Sequence, residues 1–409
     1  MAPDFSVLRR LTTFAATVGA STLVGILAIP IIIRVAGTEA WAVQVVCQSV
    51  ASLFAVVIGF GWGTTGPSMV ASTPRQGRFQ LFADSLVSRT YLFIIGAPAM
   101  ATLMIVLQPN YVALVVLGTV AYLLPSVGAA WYFIGESNPK RLFFLDASPQ
   151  LLGTIVGIVG LYWTGQIEAL VFCQMVFTLL GVILSASVVL RGGKGLFHCD
   201  LGLKASFSRL SHQRHGVITA ATGSLYVNLP LVAVSAWLPL QLDLYAMIDR
   251  IFRYSVTAFS PVLQFVQGWV PEGGDESLRH RIKRAIQAGA MLGALGSAAI
   301  FLLSPVISSL LSDGKLVVPT SLSLPVALSF FSVALSQILG LACLVLIGRG
   351  AALAKSTVLG AVAGAPLILI TALNTNVTGV AWAVAASELV VTIYQLVVIR
   401  RFFRGLPQR

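Results

Sequence analysis

Three charged side chains stand together inside an apolar stretch, YAMIDRIFRYSV, which covers residues 245–256. They are Asp249, Arg250 and Arg253. On a helix with about 100° per residue, they share one face, here called the polar seam, with four further residues: Thr257, Ser260, Gln264 and Gln267. A charge at the centre of an isolated membrane helix costs roughly 2.5–3.5 kcal/mol, so the seam must face water or partner groups. Asp249 and Arg253 are one helical turn apart and can pair, which leaves Arg250 as net positive charge.

Two interpretations of the polar seam are open. In the first, the charges form an ion pair that only joins neighbouring helices; in the second, they line a water-filled cavity with a basic wall. The length of the seam favours the cavity, because contacts between helices need only one or two polar residues. Guanidinium groups donate paired hydrogen bonds that match phosphate oxygens, whereas a bare diphosphate would cost on the order of tens of kcal/mol to cross hydrocarbon. The seam therefore predicts a site for an anionic headgroup on a lipid tail.

Polar residues on two other predicted helices extend the set of candidate ligands for such a headgroup. Arg34, at the end of the first apolar run, is a second cationic candidate, although an arginine there also suits the membrane interface. Gln44 and Gln48 form a stripe with Ser52, and the same spacing recurs half a chain later within the polar seam. This weak echo fits internally duplicated transporters. The predicted substrate-binding residues are Arg34, Gln44, Gln48, Asp249, Arg250, Arg253, Thr257 and Gln264.

Glu388 is the candidate coupling residue. It lies in the last apolar run, and small or polar residues share its predicted helix face: Thr378, Ala381, Ala385, Thr392 and Gln395. A carboxylate there can take up a proton and so couple transport to a gradient; the alternative is a protonated or hydrogen-bonded structural acid. The sequence has no GxxxxGK[ST] motif for an ATP motor, so we expect a proton or sodium gradient as the energy source and no cofactor. The cluster of His198, Cys199, His212 and His215 makes a poor zinc pattern, and no metal is expected.

The composition defines the class of protein. The chain has 409 residues, of which 57% are hydrophobic and only 10% charged, against about 25% charged in ordinary soluble domains. Apolar runs long enough to span a bilayer recur along the whole length, and in lipid they must be helical to satisfy their own backbone. We predict an all-α integral membrane protein with twelve transmembrane helices, at residues 12–33, 41–63, 90–107, 112–134, 147–164, 167–190, 217–238, 242–267, 285–311, 322–347, 356–374 and 377–399.

The distribution of basic residues predicts the orientation. Most of the 26 lysines and arginines fall at the two ends of the chain and in the connections after even-numbered spans, whereas Arg34 and Lys315 fall on the opposite side. The positive-inside rule then places both termini on the cytosolic side of a bacterial-type cell membrane. The net charge of +12 follows from this orientation and needs no nucleic-acid partner. The longest connection divides the chain into a six-helix lobe at 1–190, a cytosolic linker at 191–216 and a second six-helix lobe at 217–409.

Two segments resemble a known family. They are IPIIIRVAGTEAWAVQVVCQSVASLFAVVIGFGWGTTGPSMVA at residues 29–71 and WYFIGESNPKRLF at residues 131–143. Both are similar to Wzx-type polysaccharide and O-antigen flippases, which form the polysaccharide transport family of the MOP exporter superfamily. The resemblance implies two MATE-like six-helix bundles with alternating access. It also implies transfer of polyprenyl-diphosphate-linked oligosaccharides to the outer leaflet, driven by an ion gradient. Whether a polysaccharide polymerase docks as a partner stays open.

Other classes of function fit the sequence less well. An ion-coupled small-molecule antiporter of the multidrug type, from the same superfamily, is the main alternative; cationic drugs would need intramembrane acids, and the first lobe has none well inside its spans. A membrane enzyme would be expected to carry catalytic groups in large outer loops, but the predicted outer loops are short, so no catalytic residue is assigned. A scaffold protein would not need the polar seam.

Overall fold

The computed structural model describes residues 5–193, 214–271 and 274–404, and these residues form helices joined by short turns, with no strand among them. The predicted all-helical class is therefore confirmed for this part of the chain. Most of the predicted linker at 191–216 lies outside the described residues. The chain divides into two compact units, one up to Ser224 and one from Leu225 onward. The predicted lobe boundaries stay a prediction.

The first unit is built from nine labelled helices and the start of a tenth. They are α1 (Phe5–Ala36), α2 (Thr38–Gly59), α3 (Trp62–Ser72), α4 (Arg75–Leu107), α5 (Val112–Leu123), α6 (Ala130–Gly135), α7 (Pro139–Leu142), α8 (Ser148–Thr164) and α9 (Ile167–Gly192). Glycines with positive φ separate two pairs of long helices. Gly37, at φ 91°, lies between α1 and α2, and Gly165, at φ 71°, ends α8. Both positions need a residue without a Cβ atom.

The second unit holds the remaining long helices. They are α10 (Arg214–Trp237, which begins in the first unit), α11 (Leu242–Trp269), α12 (Gly274–Leu311), α13 (Thr320–Gln337), α14 (Gly350–Asn374) and α15 (Val377–Arg404). A π-helical segment, Ile338–Leu344, continues α13. The packing centres on α13 and α15, which contact each other as well as α12 and α14 respectively. Every predicted span in both halves of the chain overlaps one of the helices described here.

The helices have the length and composition of membrane spans. In the described part of the chain, nine helical segments are long and apolar enough to cross a bilayer. A further pair, Gly223–Trp237 and Pro239–Trp269, passes the same test only when taken together and bends by 118° at its break. Within α1, the stretch Ser21–Ala36 is apolar but shorter than these segments. The protein is thus an integral, multi-pass membrane protein, whereas twelve crossings and cytosolic termini stay predictions.

The fourth predicted span is broken, and an arginine lies at the break. After α5 the chain forms a single 3-10 turn, Leu124–Val127, before α6 begins at Ala130. The guanidinium of Arg89 donates through Nη1 to the carbonyls of Ser126, at 2.9 Å, and Gly128, at 2.8 Å. The predicted spans leave Arg89 in the connection between residues 63 and 90, and that placement is wrong, because α4 begins at Arg75 and buries Arg89 to 1% exposure. Its donors replace helix hydrogen bonds that the break removes.

An aromatic cluster joins the two segments that carry the family resemblance. Trp62 of α3 and Trp131 of α6 have ring centroids 5.1 Å apart, and Phe82 of α4 stacks on Trp131 at 6.3 Å. Gly66 lets α3 approach closely, since a Cβ atom there would lie 2.4 Å from the Trp131 ring. Arg89 lies over the same ring, 5.5 Å from its centroid. The two segments are therefore neighbours in the fold of the first unit.

Candidate functional site

The second unit contains a cavity of about 520 Å³. Its walls come from five helices: α10, α11, α13, α14 and α15. Three residues of the polar seam line it, together with polar residues from other helices. The polar lining residues used below are Tyr226, Asp249, Arg253, Thr257, Gln337 and Glu388. Aliphatic and aromatic side chains, such as Ile248, Phe252 and Val256, make up much of the remaining wall. The cavity therefore offers charged and apolar surfaces side by side.

Asp249 and Arg253 form the ion pair that their spacing predicts. Arg253 Nε lies 2.7 Å from Asp249 Oδ2, and the two side chains are 29% and 13% exposed. The second arm of the guanidinium points to α10, where Nη2 donates to Asn228 Oδ1 at 3.2 Å and to the Val227 carbonyl at 3.4 Å. Short, charged contacts are the strong ones, so the bond to Asp249 dominates and the two neutral acceptors are the weaker partners.

The neutral acceptors of Arg253 lie just before a proline in α10. Pro230 is inside the helix and also lines the cavity. A proline at this position has no N–H for the carbonyl of Tyr226, one turn earlier, and such sites commonly bend a helix. Arg253 thus connects the seam on α11 to the turn of α10 where the helix backbone is least restrained.

Glu388 reaches the same cavity from α15. The Tyr226 hydroxyl on α10 lies beside the Glu388 carboxylate and also forms a hydrogen bond with the hydroxyl of Ser387. Gly364 of α14 allows this close approach, because a Cβ atom there would lie 2.9 Å from both the Tyr226 ring and Ser387 Oγ. The predicted coupling residue and the predicted ion pair therefore line one cavity, and its described lining residues carry two carboxylates and one guanidinium.

The other predicted residues of α11 lie elsewhere on the helix surface. Arg250 is half-buried and has a polar contact of its own, but it is not among the residues that line this cavity. Gln264, about two helical turns beyond Thr257, is exposed. The polar seam thus continues past the cavity, and only Asp249, Arg253 and Thr257 of the seam contribute to the cavity wall.

The predicted ligands in the first unit fall into two separate places. Gln44 is buried, and its amide donates to the Tyr122 hydroxyl at 2.8 Å. Tyr122 in turn donates to Gln174 at 3.0 Å, and Gln174 donates to the Thr154 hydroxyl at 3.2 Å. This chain of hydrogen bonds joins α2, α5, α9 and α8. Gln48, one turn from Gln44, is half-buried and also has a polar contact.

Arg34 lies at a second place in the first unit, away from this hydrogen-bond chain. It is exposed near the end of α1, beside a groove of about 390 Å³ that the end of α8 completes. Arg34 is therefore not among the residues that line the cavity of Arg253.

Sequence reasoning missed several residues of the cavity in the second unit. Tyr226 lies in the run LYVNLPL and Gln337 ends α13, and both line the cavity. Asn228, in the same run as Tyr226, accepts a hydrogen bond from Arg253 but is not among the lining residues. A signal was present, because an asparagine within an apolar membrane helix is costly unless it has a partner. No pattern in the sequence, however, indicated which helix supplies the partner of Asn228.

No description of a known protein family matches this chain, and no curated protein matches it. The likenesses lie in the fold.

Solved structures of transporters share that fold. A multidrug resistance MATE family transporter of the MOP superfamily, in an inward-facing conformation, is 15% identical with a TM-score of 0.71, over 94% of this chain and 95% of the other. The lipid II flippase MurJ, in an inward closed conformation, is 11% identical with a TM-score of 0.71, over 95% and 87%. The MATE multidrug transporter DinF-BH is 16% identical with a TM-score of 0.62, over 98% and 96%. The chain therefore has the fold of MOP superfamily transporters.

Proposed function

We propose that this protein is a flippase that moves a polyprenyl-diphosphate-linked oligosaccharide from the inner to the outer leaflet by alternating access. The observation that carries the proposal is the amphipathic cavity in the second unit, where Arg253 lies next to an apolar wall. A lipid-linked phosphate needs both surfaces, since its headgroup requires charged donors and its tail requires hydrocarbon. The fold shared with a lipid II flippase supports the same class of cargo.

Arg253 is the proposed ligand of the phosphate. Its Nε is held by Asp249, which fixes the orientation of the guanidinium. Its Nη2 contacts two neutral oxygens at 3.2 and 3.4 Å. A phosphate oxygen carries charge and forms a shorter, stronger bond than a neutral acceptor, so incoming cargo can displace these contacts without breaking the ion pair. Arg250 and Arg34 remain candidates for further contacts with the headgroup outside this cavity.

A second candidate function has a specific observation in its favour. The described lining of the cavity includes two carboxylates, Asp249 and Glu388, against the single guanidinium of Arg253. An organic cation would be attracted by this balance, and a proton taken up by Glu388 would compete with it directly. That competition is the logic of an ion-coupled small-molecule antiporter, and several solved structures of this fold are named as multidrug transporters.

A cargo assay in proteoliposomes separates the two functions. The purified protein would be reconstituted with a labelled polyprenyl-diphosphate glycan, and exposure of its headgroup on the far leaflet measured over time. A flippase accelerates this exposure and leaves a fluorescent organic cation untransported. The opposite result, gradient-driven movement of the cation with no effect on the glycan, would establish the antiporter instead.

Glu388→Gln should make transport insensitive to an imposed proton gradient, because glutamine cannot exchange a proton while it keeps the shape of the carboxyl group. The measurement is the ratio of initial transport rates with and without the gradient. Glu39→Gln is the matched control, since Glu39 is an exposed acid at the start of α2 in the other unit. An unchanged ratio in Glu388→Gln would remove this residue from proton coupling, and replacing the proton gradient by sodium then tests the other ion.

A further inference from the structure

The groove beside Arg34 has the chemistry of a lipid-binding site. It lies between the last turn of α1 and the last turns of α8, wholly within the first unit. Its volume is about 390 Å³, and its lining residues other than Arg34 are apolar or aromatic, among them Ile31, Ile158, Val159, Tyr162 and Trp163. We propose that this groove binds an anionic glycerophospholipid of the surrounding membrane, with the lipid phosphate at Arg34 and one acyl chain along the groove.

The position of the groove along the helices matches the boundary between lipid and water. The α1 helix ends at Ala36 and α8 ends at Thr164, so the mouth of the groove lies where both helices stop. Tyr162 and Trp163 are 75% and 85% exposed there. Tyrosine and tryptophan concentrate at the headgroup level of membranes, where an apolar ring meets water. Arg34 is therefore placed at the depth of lipid phosphates.

The walls of the groove are surfaces that face hydrocarbon. Val159 is 54% exposed and Ile31 is 37% exposed, and exposed aliphatic side chains on a membrane-spanning helix contact lipid tails. An acyl chain can thus lie along α8 while its headgroup stays at the helix ends.

Charge complementarity selects an anionic lipid as the occupant. Arg34 supplies a guanidinium with donors suited to two phosphate oxygens, and the groove lining contains no acidic side chain among its described residues. Arg34 already has an interaction within the protein, and an arginine with five donors can keep that interaction and bind a phosphate as well. The groove shares no lining residue with the cavity at Arg253, so it is separate from the cavity proposed for the cargo phosphate.

Brominated lipids provide a direct test on the full-length protein. In nanodiscs of phosphatidylcholine, dibrominated phosphatidylglycerol should quench the fluorescence of Trp163 at a mole fraction at least about tenfold lower than dibrominated phosphatidylcholine, as expected for one charge-assisted hydrogen bond. The Trp163 signal is the difference between the unmodified protein and Trp163→Phe. Arg34→Gln should abolish the preference for the anionic lipid, whereas Lys315→Ala, the other basic residue predicted on this side, should retain it.

Equal quenching by both lipids in the unmodified protein, or a preference that survives Arg34→Gln, would overturn the proposal. An unbrominated polyprenyl phosphate that relieves the quenching, where excess unbrominated phosphatidylglycerol does not, would show that the carrier lipid and not a membrane phospholipid occupies the groove. The readout needs neither a gradient nor transport. It therefore stands or falls independently of the proposed function.

Discussion

Arg253→Ala should slow the translocation of a diphosphate-linked cargo by about 10- to 150-fold, the loss expected when a charge-assisted hydrogen bond worth about 1.5–3 kcal/mol is removed. Arg253 is partly exposed to the cavity while it is paired with Asp249. The measurement is the initial rate of headgroup exposure in proteoliposomes, normalised to inserted protein. Arg253→Lys should lose part of the rate, since an ammonium keeps the charge but not the forked donors.

The alanine variant also leaves Asp249 without its partner, and a buried charge that loses its partner is destabilising. A double-mutant cycle separates this effect from cargo binding. If the loss of rate in Arg253→Ala comes only from the unpaired Asp249 carboxylate, then Asp249→Asn combined with Arg253→Ala should restore transport, because no unpaired charge remains. If Arg253 binds the phosphate, the double variant should transport as slowly as Arg253→Ala. Asp249→Asn alone, which keeps the guanidinium, should then transport faster than Arg253→Ala and faster than the double variant.

Ser260→Ala is the matched control for this cycle. Ser260 lies on the same seam, but its hydroxyl donates to the Val256 carbonyl of its own helix, and it is not among the residues that line the cavity. Its removal should change the rate by less than the error between preparations. Normal transport by Arg253→Ala would exclude the guanidinium as the headgroup ligand. A rate rescued in the double variant would assign the loss in Arg253→Ala to the unpaired Asp249 carboxylate.

The sequence correctly predicted the structural features that depend on one helix alone. The apolar runs predicted the helices because each membrane helix satisfies its own backbone, and the spacing of Asp249 and Arg253 predicted their contact because residues one turn apart are neighbours. The part of the seam that lines the cavity, Asp249, Arg253 and Thr257, lies on one face of α11 for the same reason.

Contacts between distant helices could not be predicted in the same way. Tyr226 of α10 and Glu388 of α15 come together beside Gly364 of α14, and no pattern in these helices indicates that they are neighbours. Gln44 was predicted as a ligand because its stripe is polar, and the structure adds its partner, Tyr122 of α5. Hydropathy also underestimated α4, since its first turns are polar while the helix itself is continuous from Arg75.

Arg89 shows how a charge can be structural in such a fold. Its guanidinium is 1% exposed and holds the two carbonyls at the break between α5 and α6. No carboxylate pairs with it within the described residues, so carbonyl dipoles and the Trp131 ring are what offset its burial. The Nη2 atom of Arg89 has no hydrogen-bond partner among the described residues.

Arg89→Met should therefore lower the free energy of unfolding by about 2–6 kcal/mol, because two carbonyls lose their donor and each unsatisfied buried group costs about 1–3 kcal/mol. Methionine has a similar length, so the change tests the donors more than the packing. An opposing term is the desolvation of a buried charge, which the variant removes. We expect the cost of the two unsatisfied carbonyls to exceed the gain from removing the buried charge, since the break in the span leaves these carbonyls without a helix donor.

The measurement is the midpoint of heat denaturation in detergent, followed by tryptophan fluorescence, which reports on the cluster of Trp62 and Trp131 that Arg89 contacts. Arg75→Met is the matched control, because Arg75 is the exposed first residue of the same helix, and its midpoint should not move. A higher midpoint in Arg89→Met would mean that the buried charge costs more than its hydrogen bonds return. Arg89 would then have a role other than stabilising the fold. In that case, the break between α5 and α6 would be the first candidate for a conformational change within the first unit.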